Sequence, residues 1–413
     1  MLKYGKGVHA MSVVNESNYH NGNYWLSGYN YVDEVKKACT LMDYITVHDV
    51  TLRDGEQTPG VVFRKEEKLE IAKRLDEAGV PRFEGGMPVV SEEDRLALEM
   101  MAKSNLNAKL FAFARAEPKD MKICTESGAD GVIIELPIGK PKLELQLKCG
   151  IEAVLEKSLN AIEEAKRCGL YTVIFPYDAT RTTEDDLEYY LKGLKDNCMP
   201  DAIGLVDTMG CATPEAIAYL TRLYKERLNI PVEIHVHNDF GMGLAASIAA
   251  LNSGAEVVHG SINGLGERTG NVPTEEIIAV LQMMYSRECS IDLQQIIELS
   301  RLVEKLANSP VALKKPIVGR GIFTRESGIG VDLVKSQPLA MFAINPSYYL
   351  QEGNVVIGKK SGLLSIELKL KENGITLDRE TMKKILGEVK KIGIEQKGNL
   401  SDEQFLEIAN KYM

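Results

Sequence analysis

Short apolar, β-branched runs alternate with longer amphipathic stretches along most of the chain, from about residue 44 onward. The runs have the length of buried strands, and the stretches between them carry apolar residues at helical spacing. Several of these stretches end in a glycine, as helices commonly do. The eight predicted strands are YITVHDV (44–50), VPRFEG (80–85), KLFAFA (109–114), GVIIEL (131–136), YTVIF (171–175), DAIGLV (201–206), VEIHVH (232–237) and EVVHGSI (256–262).

Eight strand–helix units at roughly 30-residue spacing predict an α/β fold, a closed parallel TIM (β/α)8 barrel. A doubly wound open sheet is the alternative, but the even spacing and the lack of a GxGxxG turn favour closure. Beyond residue 290 the pattern changes to helices joined by a glycine-rich segment. We therefore predict an N-terminal extension (1–43), a catalytic barrel (44–290) and a C-terminal, mostly helical appendage (291–413).

The amino-acid composition indicates which kinds of molecule the protein binds. The 413 residues carry a net charge of −10, which argues against nucleic acid and anionic membranes, although a local arginine can still bind a small anion. The seven cysteines are scattered without a CxxC pair, as in reduced proteins, and no apolar stretch approaches the length of a membrane span. We expect a cytoplasmic protein that acts on small molecules.

Polar residues collect where the predicted strands end, which is the edge that carries the active site in this type of barrel. Any single one has an ordinary structural explanation; Asp207 and Thr208, for example, could cap the next helix. All eight strand ends together are harder to explain that way. The residues are Arg53, Asp54, Glu56, Gln57, Glu84, Arg115, Glu135, Tyr177, Asp178, Asp207, Thr208, His235, His237, Asn238, Asn263, Glu267, Arg268 and Asn271.

The segment EIHVHND (233–239) places two histidines two residues apart, so a strand would project both to one face. In a closed barrel, Asp54 follows strand one, which neighbours strand eight and then strand seven, so it can face His235 and His237. One carboxylate and two imidazoles leave open positions on a divalent ion (Mn, Mg, Zn or Co), as in catalytic sites. Asn271 could add an oxygen directly or through water. The alternative is a pair of core histidines.

Such a metal would polarise the carbonyl of a 2-oxo acid. Arg53, next to the predicted ligand Asp54, is the natural donor to the oxygen that gains charge.

Four motifs in this order, TLRDGEQTPG, DTMGCATPEA, HVHNDFG and GLGERTGN, resemble those of the alkylmalate and homocitrate synthase family. The resemblance extends over about residues 44–365. It implies an acyltransferase that performs a Claisen condensation of an acyl-CoA, usually acetyl-CoA, with a 2-oxo acid. The products are CoA and a 2-hydroxy-2-alkyl di- or tricarboxylate of homocitrate, citrate or alkylmalate type. It also implies a homodimer.

By matching positions, the resemblance implies that Asp54, His235 and His237 bind the metal, with Asn271 near them. It implies that Arg53 activates the keto group and that Thr208 contacts the carboxylate of the oxo acid. We predict further substrate-binding roles at the rim, and an arginine at the end of strand three could hold a second carboxylate, as in oxaloacetate or 2-oxoglutarate. These further residues are Gln57, Glu84, Arg115, Asn263 and Glu267.

Three positions depart from the family pattern. The expected His-Glu-Ser-Gly-Ile-His of the appendage reads RESGIG, so that Gly330 stands where the second histidine would reach into the barrel. Met341 stands at the position of an expected tyrosine, and Tyr177 at that of an expected glutamate. All three belong to one proton-transfer group, whereas the predicted metal ligands are intact.

Either the base has moved or the reaction has changed. We predict that Asp178 is the base and that Tyr177 orients it or the substrate; Tyr348 and Tyr349 are other candidates. Two other functions are compatible with the sequence: a metal-dependent carbon–carbon lyase or retro-aldolase without CoA chemistry, and a non-catalytic metabolite-binding relative.

Overall fold

The computed structural model describes residues 15–287 and 289–413. The chain forms two compact units, one of residues 33–311 and one that joins the described residues before 33 to residues 312–413. The unit that contains the barrel extends from residue 33 to residue 311, so it includes the long helix that ends shortly before residue 311. The domain boundaries at 43 and 290 stay a prediction.

In the described residues, eight parallel strands close into a barrel in sequence order, which confirms the predicted TIM fold. Closure is made by β1 and β8, and His48 of β1 pairs with Arg82 of β2 on one side and His259 of β8 on the other. The strands are β1 Thr46–Asp49, β2 Arg82–Gly86, β3 Lys109–Arg115, β4 Gly131–Pro137, β5 Tyr171–Tyr177, β6 Ala202–Asp207, β7 Val232–Val236 and β8 Val257–Gly260.

Helices follow the strands and cover the barrel. Short polar side chains begin several of them; Ser91, Thr183 and Thr213 each accept a hydrogen bond from a backbone N–H of the first turn. The helices of this unit are α1 Asp33–Ala38, α2 Lys65–Glu77, α3 Glu92–Ala102, α4 Pro118–Glu126, α5 Lys140–Lys142, α6 Ile151–Arg167, α7 Glu184–Asn197, α8 Pro214–Leu228, α9 Gly243–Leu251, α10 Thr274–Ala279 and α11 Leu293–Leu306. No described helix has both the length and the apolar character to cross a membrane.

Aromatic side chains fill the barrel interior on the side of β3 to β6. Phe111 and Phe175 belong to a buried cluster there. Each ring occupies the space where a side chain would stand at a glycine of the next strand, Gly131 for Phe111 and Gly204 for Phe175. Glycine is therefore required at these two strand positions, because any Cβ would displace a core ring.

The second unit is mostly helical, as predicted. Its strands β9 Thr324–Arg325 and β10 Asn354–Val355 form a small parallel pair. Its helices are α12 Leu333–Ser336, α13 Leu363–Glu372, α14 Arg379–Glu395 and α15 Asp402–Asn410. The last three enclose a separate apolar core that includes Ile366, Ile385 and Phe405.

Candidate active site

The turn after β1 presents Arg53 and Asp54 at the carboxyl edge of the barrel. The backbone N–H groups of Arg53 and Gly55 both donate to the carbonyl of Val50, which folds the chain back tightly on the strand end. Asp54 is only 1% exposed and Arg53 8%. Both charged side chains are thus held inside the barrel mouth and require partners there.

Asp54 meets the two histidines that the sequence predicted as its partners. Its Oδ2 lies 3.1 Å from Nε2 of His235 and 3.6 Å from Nε2 of His237. Two donors bound about 2.1 Å from one ion lie about 3.0–3.4 Å apart, depending on the coordination angle. The first distance lies within this range and the second slightly above it. The ligand atoms of all three side chains lie within 4.8 Å of one another, so the set can converge on a single cation.

Asn271 lies next to these three side chains. The residue pairs with His237 in an isolated antiparallel bridge, and its side-chain NH2 donates to the carbonyl of Leu265. Its Oδ1 is buried and has no hydrogen-bond partner among the described residues, and the same holds for Oδ1 of Asp54. Buried acceptors without a donor are costly, and a divalent cation would satisfy both. The residues present fit the predicted metal.

The charge states of the ligands favour metal binding. Burial lowers the pKa of His237 to about 4 and also lowers that of His235, so both imidazoles are neutral with a lone pair available. Burial alone would raise the pKa of Asp54, but Arg53 and the two histidines hold it well below its usual range. The set is one carboxylate and two neutral imidazoles.

The guanidinium of Arg53 is fixed on three sides. Nε and Nη2 donate to the two carboxylate oxygens of Glu84 at 2.5 and 3.1 Å, and the group stacks on the Phe113 ring at 3.9 Å. Nη1 lies 3.5 Å from Oδ2 of Asp54, which directs it toward the cation ligands. Burial opposes the charge of Arg53, but Glu84 and Asp54 hold its pKa above the usual range. A permanently charged donor therefore stands beside the metal position.

A buried ionic network lies beneath these residues. Arg82 Nε donates to Nδ1 of His48 at 2.6 Å, and Arg82 Nη2 contacts both carboxylate oxygens of Glu233 at 2.8 Å. His259 Nε2 lies 2.8 Å from the same carboxylate and its ring stacks on His48 at 4.4 Å. Nε2 of His48 lies 3.4 Å from Glu84, so the network reaches the residue that holds the active-site arginine.

This network was not predicted from the sequence. His48, Glu84 and His259 also lie close enough together to hold a cation. The two arginine groups that already contact Glu84 and His48 supply the positive charge there, so an ionic network explains the cluster better than a second metal. The signal was available, because charged residues inside predicted strands are expensive unless paired.

Several other predicted residues have partners of their own. The Asp178 carboxylate is fully buried and receives both Nε and Nη2 of Arg181 at 2.7 and 2.8 Å. Arg115 pairs in the same bidentate way with Asp120 at 2.8 and 3.1 Å. The structure therefore commits Asp178 and Arg115 to local ion pairs.

Of the predicted site residues in the loops after β1, β6 and β8, some are held by hydrogen bonds within the protein and others are exposed. Thr208 accepts a hydrogen bond from the backbone N–H of Asp178 at 2.7 Å, which leaves its own hydroxyl hydrogen available. The Asn263 side chain is held by Ser300 of α11. Glu267 is exposed and pairs with Arg268, and Gln57 is exposed in the loop after β1.

Glu135 and Tyr177 lie on the opposite side of the mouth, at the ends of β4 and β5. The strands pair with Glu135 opposite Phe175 and Pro137 opposite Tyr177. Burial raises the pKa of Glu135 to about 7, although Arg53 acts in the other direction. Burial, and then the nearby Glu135, raises the pKa of Tyr177 to about 12. The sequence analysis placed Glu135 at a strand end but gave it no role.

Comparison with known proteins adds independent evidence. A family model described as HMGL-like matches residues 44–303, and one described as homocitrate synthase post-HMGL domain-like matches residues 317–397. The chain is 40% identical over 387 residues to homocitrate synthase AksA of Methanothermobacter thermautotrophicus, covering 93% of this chain and 97% of that protein. It is 37% identical over 361 residues to 2-isopropylmalate synthase of Methanocaldococcus jannaschii, covering 86% and 69%.

A third relative, (R)-citramalate synthase CimA of Methanocaldococcus jannaschii, is 36% identical over 351 residues, covering 84% of this chain and 71% of that protein. Among solved structures, the HMG-CoA lyase of Bacillus subtilis superposes with a TM-score of 0.60 at 18% identity, over 66% of this chain and 96% of that chain. At that identity the superposition shows the barrel fold alone.

Proposed function

Because the chain belongs to the HMGL-like family, we propose that it is an acyltransferase that condenses an acyl-CoA, acetyl-CoA first of all, with a 2-oxo acid. The relatives at 36–40% identity are named as homocitrate, isopropylmalate and citramalate synthases. The solved lyase structure, at 18% identity, shares the fold and lends the lyase alternative no functional support. The observation that carries the proposal is the convergence of Asp54, His235 and His237 beside Arg53.

The metal is a divalent cation held by Asp54, His235 and His237, with Asn271 Oδ1 as a further oxygen donor. The donor set mixes nitrogen and oxygen, which suits Mn, Zn, Co or Mg. When bound, the cation acts as a Lewis acid toward the keto oxygen of the 2-oxo acid.

The side chains around that position hold the oxo acid and the charge that develops on it. Arg53 donates to the keto oxygen as that oxygen becomes negative, and Glu84 keeps the guanidinium in place beforehand, so that no reorganisation is needed. Thr208 donates its hydroxyl hydrogen to the carboxylate of the oxo acid, because its oxygen already accepts from the Asp178 backbone. Substrate contacts of the exposed loop residues Gln57 and Glu267 remain part of the proposal, whereas the Asn263 side chain is engaged by Ser300 at both its amide nitrogen and its amide oxygen.

A homodimer and a cytoplasmic location belong to the same proposal. The family resemblance supports the dimer, and the seven unpaired cysteines support a reducing compartment.

The test is an assay of thiol release. Purified protein, stripped of metal and then reloaded separately with Mn, Mg, Zn or Co, is incubated with acetyl-CoA and a panel of 2-oxo acids, and products are identified by mass spectrometry. We expect metal-dependent thiol release with at least one oxo acid. Metal-dependent cleavage of a 2-oxo or 2-hydroxy acid without thiol release would replace the synthase with the lyase. Inactivity toward every substrate with metal bound would favour a non-catalytic protein.

A further inference from the structure

The condensation proposed above needs a group that removes a proton from the acyl-CoA methyl group. Most carboxylates that the sequence places at strand ends are already committed. Asp54 faces the metal, Glu84 holds Arg53, and Asp178 is neutralised by Arg181. Asp207 accepts from the Thr180 hydroxyl and the Ala212 backbone, so it serves the loop before α8.

Glu135 differs from these carboxylates. The structure shows no hydrogen bond or ion pair between its side chain and any described residue, and the side chain is only partly buried. Ile133, two residues earlier on β4, belongs to the apolar cluster inside the barrel, so strand alternation directs Glu135 to the same interior side, one level higher at the mouth. It is a free carboxylate at the edge where substrates bind.

We infer that Glu135 is the catalytic base that removes the methyl proton of the acyl-CoA; this inference rests on the proposed condensation. The position is one strand away from Tyr177, where the family resemblance leads to the expectation of a glutamate. Because β4 and β5 pair with Glu135 opposite Phe175, the two side chains lie on neighbouring strands of the same mouth. The carboxylate is thus found on β4 instead of β5, with Tyr177 two residues beyond the β5 residue that pairs with it.

The surroundings of Glu135 suit this role. Phe113 and Phe175 are buried members of the apolar cluster on the neighbouring strands β3 and β5. A carboxylate in such surroundings is poorly solvated and therefore a stronger base than one in water. The raised pKa of about 7, caused first by burial, agrees with this, since proton transfer is most efficient when the pKa of the base is near the working pH.

The proton and electron balance is complete. Glu135 forms an O–H bond to the methyl proton, and the C–H electron pair forms the enolate of the thioester. The enolate carbon bonds to the keto carbon, whose π electrons pass to the keto oxygen facing Arg53. That oxygen takes up a proton from solvent. Water then attacks the thioester carbonyl, the C–S bond breaks, and CoA leaves as the thiol while Glu135 returns its proton to solvent.

The test measures deuterium exchange into the acetyl methyl group together with thiol release. The variants are Glu135→Gln, which keeps the shape, Glu135→Ala, and Asp178→Asn for the competing prediction. Glu144→Gln, an exposed glutamate of the same β4–α6 connection, is the matched control. Metal content by elemental analysis and circular dichroism establish that each variant is loaded and folded.

We expect Glu135→Gln to lose exchange by about a hundredfold or more with metal content unchanged, since a general base contributes about 10²–10⁴-fold. Formate or acetate should restore part of the exchange to Glu135→Ala, which a merely structural residue would not show. Exchange at the parental rate in Glu135→Gln overturns the inference about the base but leaves the proposed condensation intact. Loss of exchange in Asp178→Asn would then identify Asp178 as the base. A parent that shows neither exchange nor thiol release with any oxo acid overturns both.

Discussion

The two halves of the barrel interior differ in chemistry. The charged half, formed by β1, β2, β7 and β8, contains His48, Arg82, Glu84, Glu233, His235 and His259, all buried. The apolar half, formed by β3 to β6, contains Phe111, Phe113, Ile133, Val173, Phe175, Ala202 and Val206. Groups on the charged half are fixed by several partners each. Glu135, above the apolar half, has no hydrogen-bond or ion-pair partner among the described residues. The charged half therefore holds its charged groups in fixed positions, whereas the apolar half leaves the Glu135 carboxylate free to act as a base.

The largest expected effect is at the proposed metal ligands, which lie at the mouth of the charged half. His237→Ala should lose bound metal and more than about a hundredfold of activity, because loss of a mere supporting contact to a ligand already costs 10–100-fold. The melting temperature should stay near that of the parent, since the ligands lie at the rim. Elemental analysis and thermal denaturation check this, with His20→Ala as the control histidine. Full metal occupancy in His237→Ala would refute the ligand set.

A second test disrupts the buried ionic network that includes Arg82 and Glu233. Glu233→Ala leaves the Arg82 guanidinium buried without its carboxylate, so we expect a loss of about 3–5 kcal/mol in the free energy of unfolding. Denaturant titration measures it, and Glu77→Ala, which removes a half-exposed ion pair with Arg74, is the control with an effect of about 1 kcal/mol or less. Equal losses in the two variants would mean that the charged half is not specially dependent on its ion pairs.

The apolar half predicts a pH dependence. In metal-free protein the pKa of Glu135 is raised from 4.5 to about 7, mainly by burial, with Arg53 opposing and Asp54, Glu84 and Glu267 reinforcing the shift. Between these values the folded state binds more protons than the unfolded state, so stability falls as the pH rises through this window.

Glu135→Gln removes that contribution because glutamine mimics the protonated form. We therefore expect the variant to gain in melting temperature relative to the parent as the pH rises from about 5 to about 8. Glu144→Gln should show no such trend. A parallel pH dependence of parent and Glu135→Gln would mean that Glu135 has an ordinary pKa.

The smallest expected effect is at Arg115, the last residue of β3 in the apolar half. Because Asp120 already accepts from both Nε and Nη2 of Arg115, we expect Arg115→Ala to change the KM for the 2-oxo acid by less than about threefold. Steady-state kinetics with mono- and dicarboxylic oxo acids measures it. A large rise in KM for the dicarboxylic acids alone would restore the prediction from the sequence that Arg115 holds a second carboxylate.

The sequence predicted the architecture well because strand and helix periodicity are local. The run KLFAFA lies within β3 Lys109–Arg115. His235 of β7 and His237, just beyond its end, both face Asp54 as strand alternation and barrel closure required. The partners of individual side chains were less accessible. That Arg181 neutralises Asp178 depends on the turn after β5, in which Asp178 adopts a left-handed conformation with φ of 61°.

Charged residues inside predicted strands signalled that a buried network exists, but its pairings were out of reach for a similar reason. His48 meets Arg82 and His259 only through the register of β1 with both neighbours, and periodicity does not give register between strands that are far apart in sequence. The free carboxylate of Glu135 could be identified only once the partners of the other carboxylates were known.

Gly330 and Met341 are neighbours in the second unit, and this limits how the chain could regain a histidine and a tyrosine there. Gly330 has φ of +67°, and a Cβ at that position would lie 3.0 Å from Sδ of Met341. A histidine introduced alone would meet both backbone strain and the methionine. Directed evolution that introduces the histidine first would therefore face both costs, whereas a library that varies the two positions together can relieve the methionine contact and leaves only the backbone strain.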